Sequence, residues 1–224
     1  MPEQHNIEYK RNWHEDHLKT ICAFANSQGG KLYIGKDDKG IAAGIPEYKK
    51  LMDDLPNKIR NHLGITAEVN LKRDKTKYFI EINVPVYTVA ISLRGRYYIR
   101  SGSITTELTG NALNDFLLKK SGKSWDDVVE DRASINDIDD KSISRFISVS
   151  GSTNRLPEVV GLTNFEILEK LRLTEEKRLK RAAIILFGKD PGKFYPNMFV
   201  KIGRFGKSDD DLLYEEVEEG NLFT

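Results

Sequence analysis

The sequence contains one cysteine, Cys22, among 224 residues, and it has no long apolar run. A single thiol excludes an internal disulfide framework and a zinc site built from several cysteines, and it favours a reducing, cytoplasmic location. No stretch approaches the ~18 consecutive apolar residues of a transmembrane helix. Residues 1–25 are mixed and charged and therefore lack the apolar core of a secretory signal. We expect no membrane partner.

The whole chain has almost no excess of charge of one sign, with a formal net charge of +1, but each half has one. Residues 1–124 carry 20 Lys and Arg against 14 Asp and Glu, whereas residues 125–224 carry 15 against 20. The segment Ser121-Gly122-Lys123-Ser124, at this change of sign, is typical of a linker. The pattern predicts a basic module at 1–121, followed by an acidic module at 122–224.

The first module is predicted to be α+β, with a small mixed sheet and helices. Apolar residues repeat at helical spacing after Asn12, which with Glu15 forms a capping-box pattern, and Gly29-Gly30 ends the helix. Alternating apolar residues around Ile80 predict a one-sided strand. The predicted helices are 12–27, 48–63 and 109–120, and the predicted strands are 31–35, 41–44, 67–71, 78–84, 86–93 and 96–100.

The second module is predicted to be a smaller α/β region. Its predicted helices are 142–149, 164–171 and 175–183, and its predicted strands are 184–187, 198–205 and 212–217. A helix-turn-helix across 164–183 is disfavoured, because the apolar run at 182–187 is typical of a buried strand.

Two motifs suggest ligand binding, but the residues around them argue against it. Gly30 to Lys36 matches the G-x-x-x-x-G-K pattern of a phosphate-binding loop, but Asp37 follows where Ser or Thr is needed, and the residues between the glycines form a predicted strand. His14 and His17 share a predicted helix face, but no second cluster completes a metal site.

Basic residues interleaved with aromatic ones are the main functional signal. Three arginines, two tyrosines and small hydroxyl residues lie between positions 94 and 103, and more basic residues lie at 72–77. Arginine and hydroxyl groups bind phosphates, and tyrosine rings stack on bases. A charged hairpin with ordinary sheet aromatics explains the pattern equally well. The candidate nucleic-acid contacts are Lys10, Arg94, Arg96, Tyr98, Arg100, Ser101 and Ser103.

Three carboxylates form a second candidate site. If Glu3, Glu8 and Asp38 converge, their oxygens would bind Mg²⁺ or Mn²⁺ and activate a water molecule against a phosphodiester. On spacing alone, carboxylates in a tail and a turn are more often simply solvated.

Residues 23–40 resemble the Schlafen-type AlbA domain, through the run AFANSQGGKLYIGKDDKG. The opening Glu3-x-x-x-x-Glu8-Tyr9-Lys10 is similar to the E-x-x-x-x-E-[FY]-K opening of that family, and residues 97–103 are similar to its Arg-Gly-Ser element. The resemblance covers residues 3 to ~120 and implies an Alba-like fold that binds nucleic acid.

The resemblance also assigns chemistry to the carboxylates. In the eukaryotic Schlafen branch this domain is an endoribonuclease acting on structured RNA, and its catalytic metal-binding positions match Glu3, Glu8 and Asp38. The spacing from Glu8 to Asp38 is shorter here than in that branch.

Residues 182–188 and 219–222 resemble the second part of bacterial predicted transcriptional regulators and RecG-like proteins, where a GHKL-ATPase-like region usually follows. We therefore expect residues 122–224 to be the start of such a region, truncated at its end. The leading hypothesis is a DNA-binding module of a bacterial transcriptional regulator, acting as a homodimer on DNA or RNA. The alternatives are a divalent-metal-dependent endoribonuclease and an interaction scaffold whose acidic half binds a protein.

Overall fold

The chain divides into two compact units, Met1–Gly122 and Lys123–Thr224. The structure is a computed structural model that describes residues 5–151, 159, 161–208 and 210–223. Both units contain helices and strands, which confirms the mixed α and β class expected from the sequence. None of the helices in these ranges is long and apolar enough to cross a membrane.

The first unit is built on a four-stranded mixed sheet in the order β1-β2-β4-β3. β1 runs parallel to β2, and the other two pairings are antiparallel. Two further strands, β5 and β6, form a separate hairpin. The elements are β1 (Ile7–Lys10), α1 (His17–Asn26), β2 (Gly30–Ile34), α2 (Tyr48–Leu63), β3 (Glu68–Asp74), β4 (Lys77–Val84), β5 (Tyr97–Ser101), β6 (Ile104–Leu108) and α3 (Gly110–Lys120).

The alternation of side chains along β4 decides which face of the sheet is buried. Ile80, Ile82 and Val84 point inward and are almost fully buried together with residues of α1 and α2, such as Phe24 and Ile59. Burying each large apolar side chain contributes about 1.5–3 kcal/mol. The residues between them, Phe79, Glu81 and Asn83, point to the opposite side, called here the outer face.

Two predictions for the start of the first helix are wrong in detail. The first helix begins at His17 and not at residue 12, because the amide N–H of His14 donates to His17 Nδ1 (3.1 Å) in a preceding turn. Glu15 has no capping role and instead accepts from Lys58 Nζ (2.8 Å).

Residues 86–93 form a loop where a strand was predicted. The side-chain amide of Asn26, and not a neighbouring strand, binds the backbone of this loop. Its Nδ2 donates to Ile91 O (2.8 Å), and its Oδ1 accepts from Ile91 N (2.8 Å). The return strand predicted at 41–44 is also reduced, to a single bridge between Lys36 and Ala42.

The second unit has its own core, centred on Ile143, Leu168, Ile184 and Phe187. Its helices and strands are α4 (Asp140–Gly151), α5 (Asn164–Lys170), β7 (Thr174–Glu175), β8 (Arg178–Leu179), α6 (Arg181–Phe187), β9 (Phe199–Phe205) and β10 (Leu212–Glu219). The last two strands pair into an antiparallel hairpin with every residue exposed.

The prediction of a helix at 175–183 followed by a strand at 184–187 is wrong. A tight β7–β8 hairpin turns at Glu176 and Lys177, both at positive φ, and the apolar run that follows is the helix α6. Its residues Ala183, Ile184 and Phe187 are buried at helical spacing. Because the β7–β8 hairpin separates α5 from α6, these two helices do not form a helix-turn-helix.

Candidate nucleic-acid interface

Arg94 and Arg96 lie at the tip of a tight turn. Leu93 and Arg96 exchange backbone hydrogen bonds of 2.8 and 3.0 Å, and Arg94 and Gly95 between them both have positive φ. The turn holds both arginine side chains out in solvent, 68% and 66% exposed. They border a cleft of about 590 Å³, which His14 and Lys19 also line. This Arg94–Arg96 turn is the part of the predicted arginine cluster that solvent reaches.

Each exposed arginine has an acidic neighbour. Arg94 Nη2 lies 3.6 Å from Glu15 Oε2, and Arg96 Nη1 lies 3.2 Å from Glu107 Oε2. Ion pairs this exposed contribute about 0–1 kcal/mol. A phosphate can therefore replace either carboxylate at little cost.

The predicted serine contacts lie at the other end of the same strand. Ser101 and Ser103 are exposed in the turn between β5 and β6, and β5 separates this turn from Arg96. Five residues of strand span roughly 16 Å. The arginine and serine parts of the 94–103 cluster therefore lie at opposite ends of β5.

Tyr98 and Arg100 are buried between these two turns. Arg100 donates to His5 O (3.2 Å), Ser103 O (2.7 Å) and Thr105 Oγ1 (3.0 Å). Tyr98 is 6% exposed. Both were predicted to contact nucleic acid, but in this fold they hold the β5–β6 hairpin against the rest of the unit.

Glu8 and Lys10 form an ion pair, with Lys10 Nζ 2.7 Å from Glu8 Oε1. The other carboxylate oxygen of Glu8 lies 3.1 Å from Arg100 Nη2, at an angle that makes no aligned hydrogen bond. Two cations therefore flank a carboxylate that is 10% exposed, while Lys10 keeps a third of its side chain in solvent.

Glu8 and the turn that carries Asp38 lie against different faces of the sheet. Glu8 pairs with Leu32 and so points to the inward face of the sheet. The turn that carries Asp38 packs on Tyr9, which points to the outer face; a Cβ at Gly40 would lie 3.1 Å from Tyr9 Cζ. Among the residues that the structure describes, no group of three His, Cys, Asp or Glu side chains can hold a metal ion. Glu3 lies outside those residues, so the full triad stays a prediction.

A second exposed basic feature, which the sequence-based site left out, is the hairpin tip of β3 and β4. Lys72, Arg73, Lys75 and Lys77 are all exposed around a turn in which Asp74 is the one acid. Arg73 Nε donates to Lys75 O (2.6 Å) and thereby fixes the turn. Residues 72–77 are called the basic hairpin below. The basic hairpin could have been found in the sequence, because it places four cations in six residues between two predicted strands.

The first unit is an α+β module that carries an exposed basic hairpin. Residues 3–109 match the family model described as Schlafen, AlbA_2. The first unit is thus a Schlafen AlbA_2 domain, as its motifs indicated. Residues 115–201 match a second model, described as a domain of unknown function, DUF8451. None of the curated proteins matches the chain significantly.

Two solved structures show distant likeness. The crystal structure of the DIP2311 protein from Corynebacterium diphtheriae is 16% identical, with a TM-score of 0.43, over 96% of this chain and 40% of that one. The chain thus spans less than half of the length of that protein. The second structure, solved by NMR, is the N-terminal domain of an ATP-dependent DNA helicase RecG-related protein from Nitrosomonas europaea. It is 24% identical, with a TM-score of 0.33, over 47% of this chain and 83% of that one. Both scores are low, and neither likeness bears on function.

Proposed function

We propose that the first unit binds DNA through the basic hairpin, with the Arg94–Arg96 turn as an accessory contact, and serves as the DNA-binding module of a transcriptional regulator. The observation that carries the proposal is the set of four exposed cations at the tip of β3 and β4. Cations held on a fixed turn neutralise phosphates and release the counterions condensed on a polynucleotide.

The shape of this feature favours duplex DNA. β3 and β4 pair from Glu68 to Asp74 and from Lys77 to Asn83, and their end beyond Ile80, where the pairing of β4 with β2 stops, is a two-stranded antiparallel ribbon that the basic hairpin closes. The major groove of B-DNA, about 12 Å wide, admits such a ribbon. Arg73 packs 5.5 Å from the centroid of the Tyr78 ring, and Tyr78 stacks on Tyr48 of α2 at 4.5 Å, so the base of the ribbon is rigid.

Neutralising the tip of the hairpin tests this assignment. Arg73→Gln with Lys75→Gln should weaken binding of a labelled 20-base-pair duplex by about tenfold or more at physiological salt. A matched double variant, Lys119→Gln with Lys170→Gln, removes the same charge from exposed positions on α3 and α5. Fluorescence anisotropy measures both. Equal affinities for the two double variants would show that the basic hairpin is not the interface.

A homodimer, expected from the sequence, stays a prediction. A two-fold pair would present two basic hairpins to one duplex and so double the number of phosphate contacts. Sedimentation equilibrium of the chain, with and without duplex, measures the association directly. A mass equal to that of one 25.6 kDa chain at high concentration would contradict it.

A further inference from the structure

The outer face of the four-stranded sheet carries a continuous row of aromatic, amide and basic side chains. The strand register places Tyr33 beside Glu81, and Glu81 beside Asn70. It likewise places Lys31 beside Asn83, and Lys72 beside Phe79. The helices α1 and α2 pack on the opposite, inward face. Lys31 and Lys72 are exposed, and the other five are half-buried, so solvent reaches this row.

An aromatic cluster stands at the centre of the outer face. The rings of Tyr9 and Tyr33 are 5.4 Å apart, and those of Tyr33 and Phe79 are 6.3 Å apart. Lys36 Nζ lies 4.5 Å from the Tyr33 ring centroid and 4.4 Å from that of Phe79. The Tyr33 hydroxyl donates to Glu81 Oε2 (2.8 Å), which fixes the plane of the ring. A ring held rigid, with a cation beside it, is what base stacking needs.

A cleft of about 420 Å³ opens beside Tyr33, where β1, β2 and β4 meet. Its polar lining consists of amide side chains and one cation, namely Asn6, Gln28, Asn83 and Lys31. Val86, 58% exposed, gives it an apolar wall. Amides offer a donor and an acceptor side by side, as the edge of a nucleobase does.

Gly29 and Gly30 let the backbone at one edge of this cleft pack tightly against its neighbours. A Cβ at Gly29 would lie 2.8 Å from Val84 O, and one at Gly30 would point into the core, 2.5 Å from Phe24 Cδ1. Gly30, which begins the sequence pattern of a phosphate-binding loop, therefore has a packing role here.

The charges on this face suit a polyanion. Glu81 and Glu68 are acids on this face. Glu81 is already engaged by the Tyr33 hydroxyl and by Lys31 Nζ at 3.5 Å, and Glu68 accepts from Asn83 Nδ2 (3.0 Å). Burial raises the pKa of Glu81, but the hydrogen bond from Tyr33 and the charge of Lys31 outweigh it, so the net shift is downward. Glu81 thus stays ionised and balances one lysine. Lys36 and Lys72 remain as cations along the row.

We propose that the outer face binds a single-stranded segment of nucleic acid, with one base stacked on Tyr33 in the cleft and the backbone running along Lys31, Lys36 and Lys72. Bases inside a duplex are stacked on each other and cannot reach a protein ring, whereas those of a single strand can be splayed out. The inference rests on the proposed function. It adds single-stranded nucleic acid as a second ligand, bound on the outer face and not on the basic hairpin.

The experiment compares two substitutions of one residue in the full chain. Tyr33→Leu removes the ring and keeps an apolar side chain, whereas Tyr33→Phe keeps the ring and loses only the hydroxyl. The probes are labelled 12-residue oligouridine, oligothymidine and a 20-base-pair duplex. Tyr33→Leu should weaken single-strand binding by about tenfold, as expected for one lost base–aromatic stack. Tyr33→Phe keeps the stacking ring but loses the hydrogen bond that fixes its plane, so it should weaken single-strand binding much less than Tyr33→Leu does. Both variants should bind the duplex unchanged.

The results separate this inference from the proposed function. If the wild type binds duplex but neither single strand, or if Tyr33→Leu binds single strands as tightly as the wild type, the outer-face site is overturned and the basic hairpin stands. If the wild type binds none of the probes, both proposals fail. Photo-crosslinking with 4-thiouridine gives an independent measurement on the unmodified chain. A crosslink in the peptide containing Tyr33 supports the site, and crosslinks confined to peptides outside β1 to β4 overturn it.

Discussion

Arg100 and Glu8 form an ion pair inside the first unit, with Arg100 Nη2 3.1 Å from Glu8 Oε2 and side chains that are 1% and 10% exposed. The guanidinium also lies 5.1 Å from the Phe24 ring centroid and donates to the backbone of His5 and Ser103. One side chain thus joins the segment before β1, the helix α1 and the β5–β6 hairpin. We attribute to Arg100 a role in holding these elements together.

Replacing this arginine should destabilise the first unit strongly. Arg100→Met keeps an apolar stem but leaves the buried carboxylate of Glu8 with Lys10 alone, and we expect a loss of about 3–5 kcal/mol in the free energy of unfolding. Urea denaturation followed by circular dichroism measures it. Arg96→Met, at a side chain 66% exposed, is the control and should cost less than about 1 kcal/mol. Similar losses in the two variants would contradict the structural role.

The basic hairpin should set the salt dependence of duplex binding. Each contact with a phosphate of B-DNA contributes about 0.9 to the magnitude of the slope of log affinity against log salt concentration. Arg73→Gln with Lys75→Gln should therefore reduce that magnitude by about 1.8. Titrations at several salt concentrations give the value. An unchanged slope with weaker binding would mean that these residues act on the fold and not on phosphates.

The first unit should lose stability in mild acid through His17. Burial lowers the pKa of His17 to about 4 from 6.5, and the charge of Lys10 adds to the shift. Because the pKa of His17 is lower in the folded than in the unfolded state, neutral His17 contributes stability. This contribution is fully present above pH 6.5 and is lost as the pH falls toward 4. The wild type should lose up to about 3 kcal/mol over this window. Unfolding titrations of His17→Gln should lack this loss; the same decline in the variant would assign it to other groups.

The second unit should lose stability in stronger acid, through Glu130. Its carboxylate accepts from Arg132 (2.7 and 3.0 Å) and from the Tyr195 hydroxyl (2.9 Å). The Arg132 hydrogen bond is the main cause that lowers the pKa of Glu130 to about 2. The stability it contributes is present above pH 4.5 and is lost as the pH falls toward 2.

Glu130→Gln tests this contribution. At pH 7 the variant should be less stable by about 1–2 kcal/mol, a value reduced because Arg132 is largely exposed. The difference from the wild type should shrink as the pH approaches 2. A difference that is independent of pH would show that shape, and not charge, explains the effect.

The sequence predicted the helices and strands that have a clear period. Helix α2 around Leu55 and Ile59 and strand β4 around Ile80 follow directly from their apolar spacing, even with Pro56 inside the helix. It missed β1 (Ile7–Lys10), because four residues are too few to show a period. It also read the run from Ala182 to Phe187 as a strand, since a short buried helix and a buried strand are both continuously apolar.

The candidate site was harder to predict than the fold. Arg94 and Arg100 look alike in the sequence, yet one is exposed on a turn and the other is buried against Phe24. Alternation along β5 shows that Arg100 is buried only when it is known which face of the strand α1 covers. The outer face was missed for a similar reason, because it joins residues as distant as Tyr33 and Asn70, and only the strand register brings them together.

The β9–β10 hairpin has a consequence for handling the protein. Val200 and Ile202 lie on one face and Phe199 and Phe205 on the other, and each of these side chains is about half exposed. Exposed apolar hairpins attract one another, and sulfate or phosphate salts strengthen that attraction by being excluded from protein surfaces. Salting-out, light scattering at high concentration and adsorption to hydrophobic resins should therefore be governed by the second unit, and a preparation of residues 1–122 should stay in solution at sulfate concentrations that precipitate the longer chain.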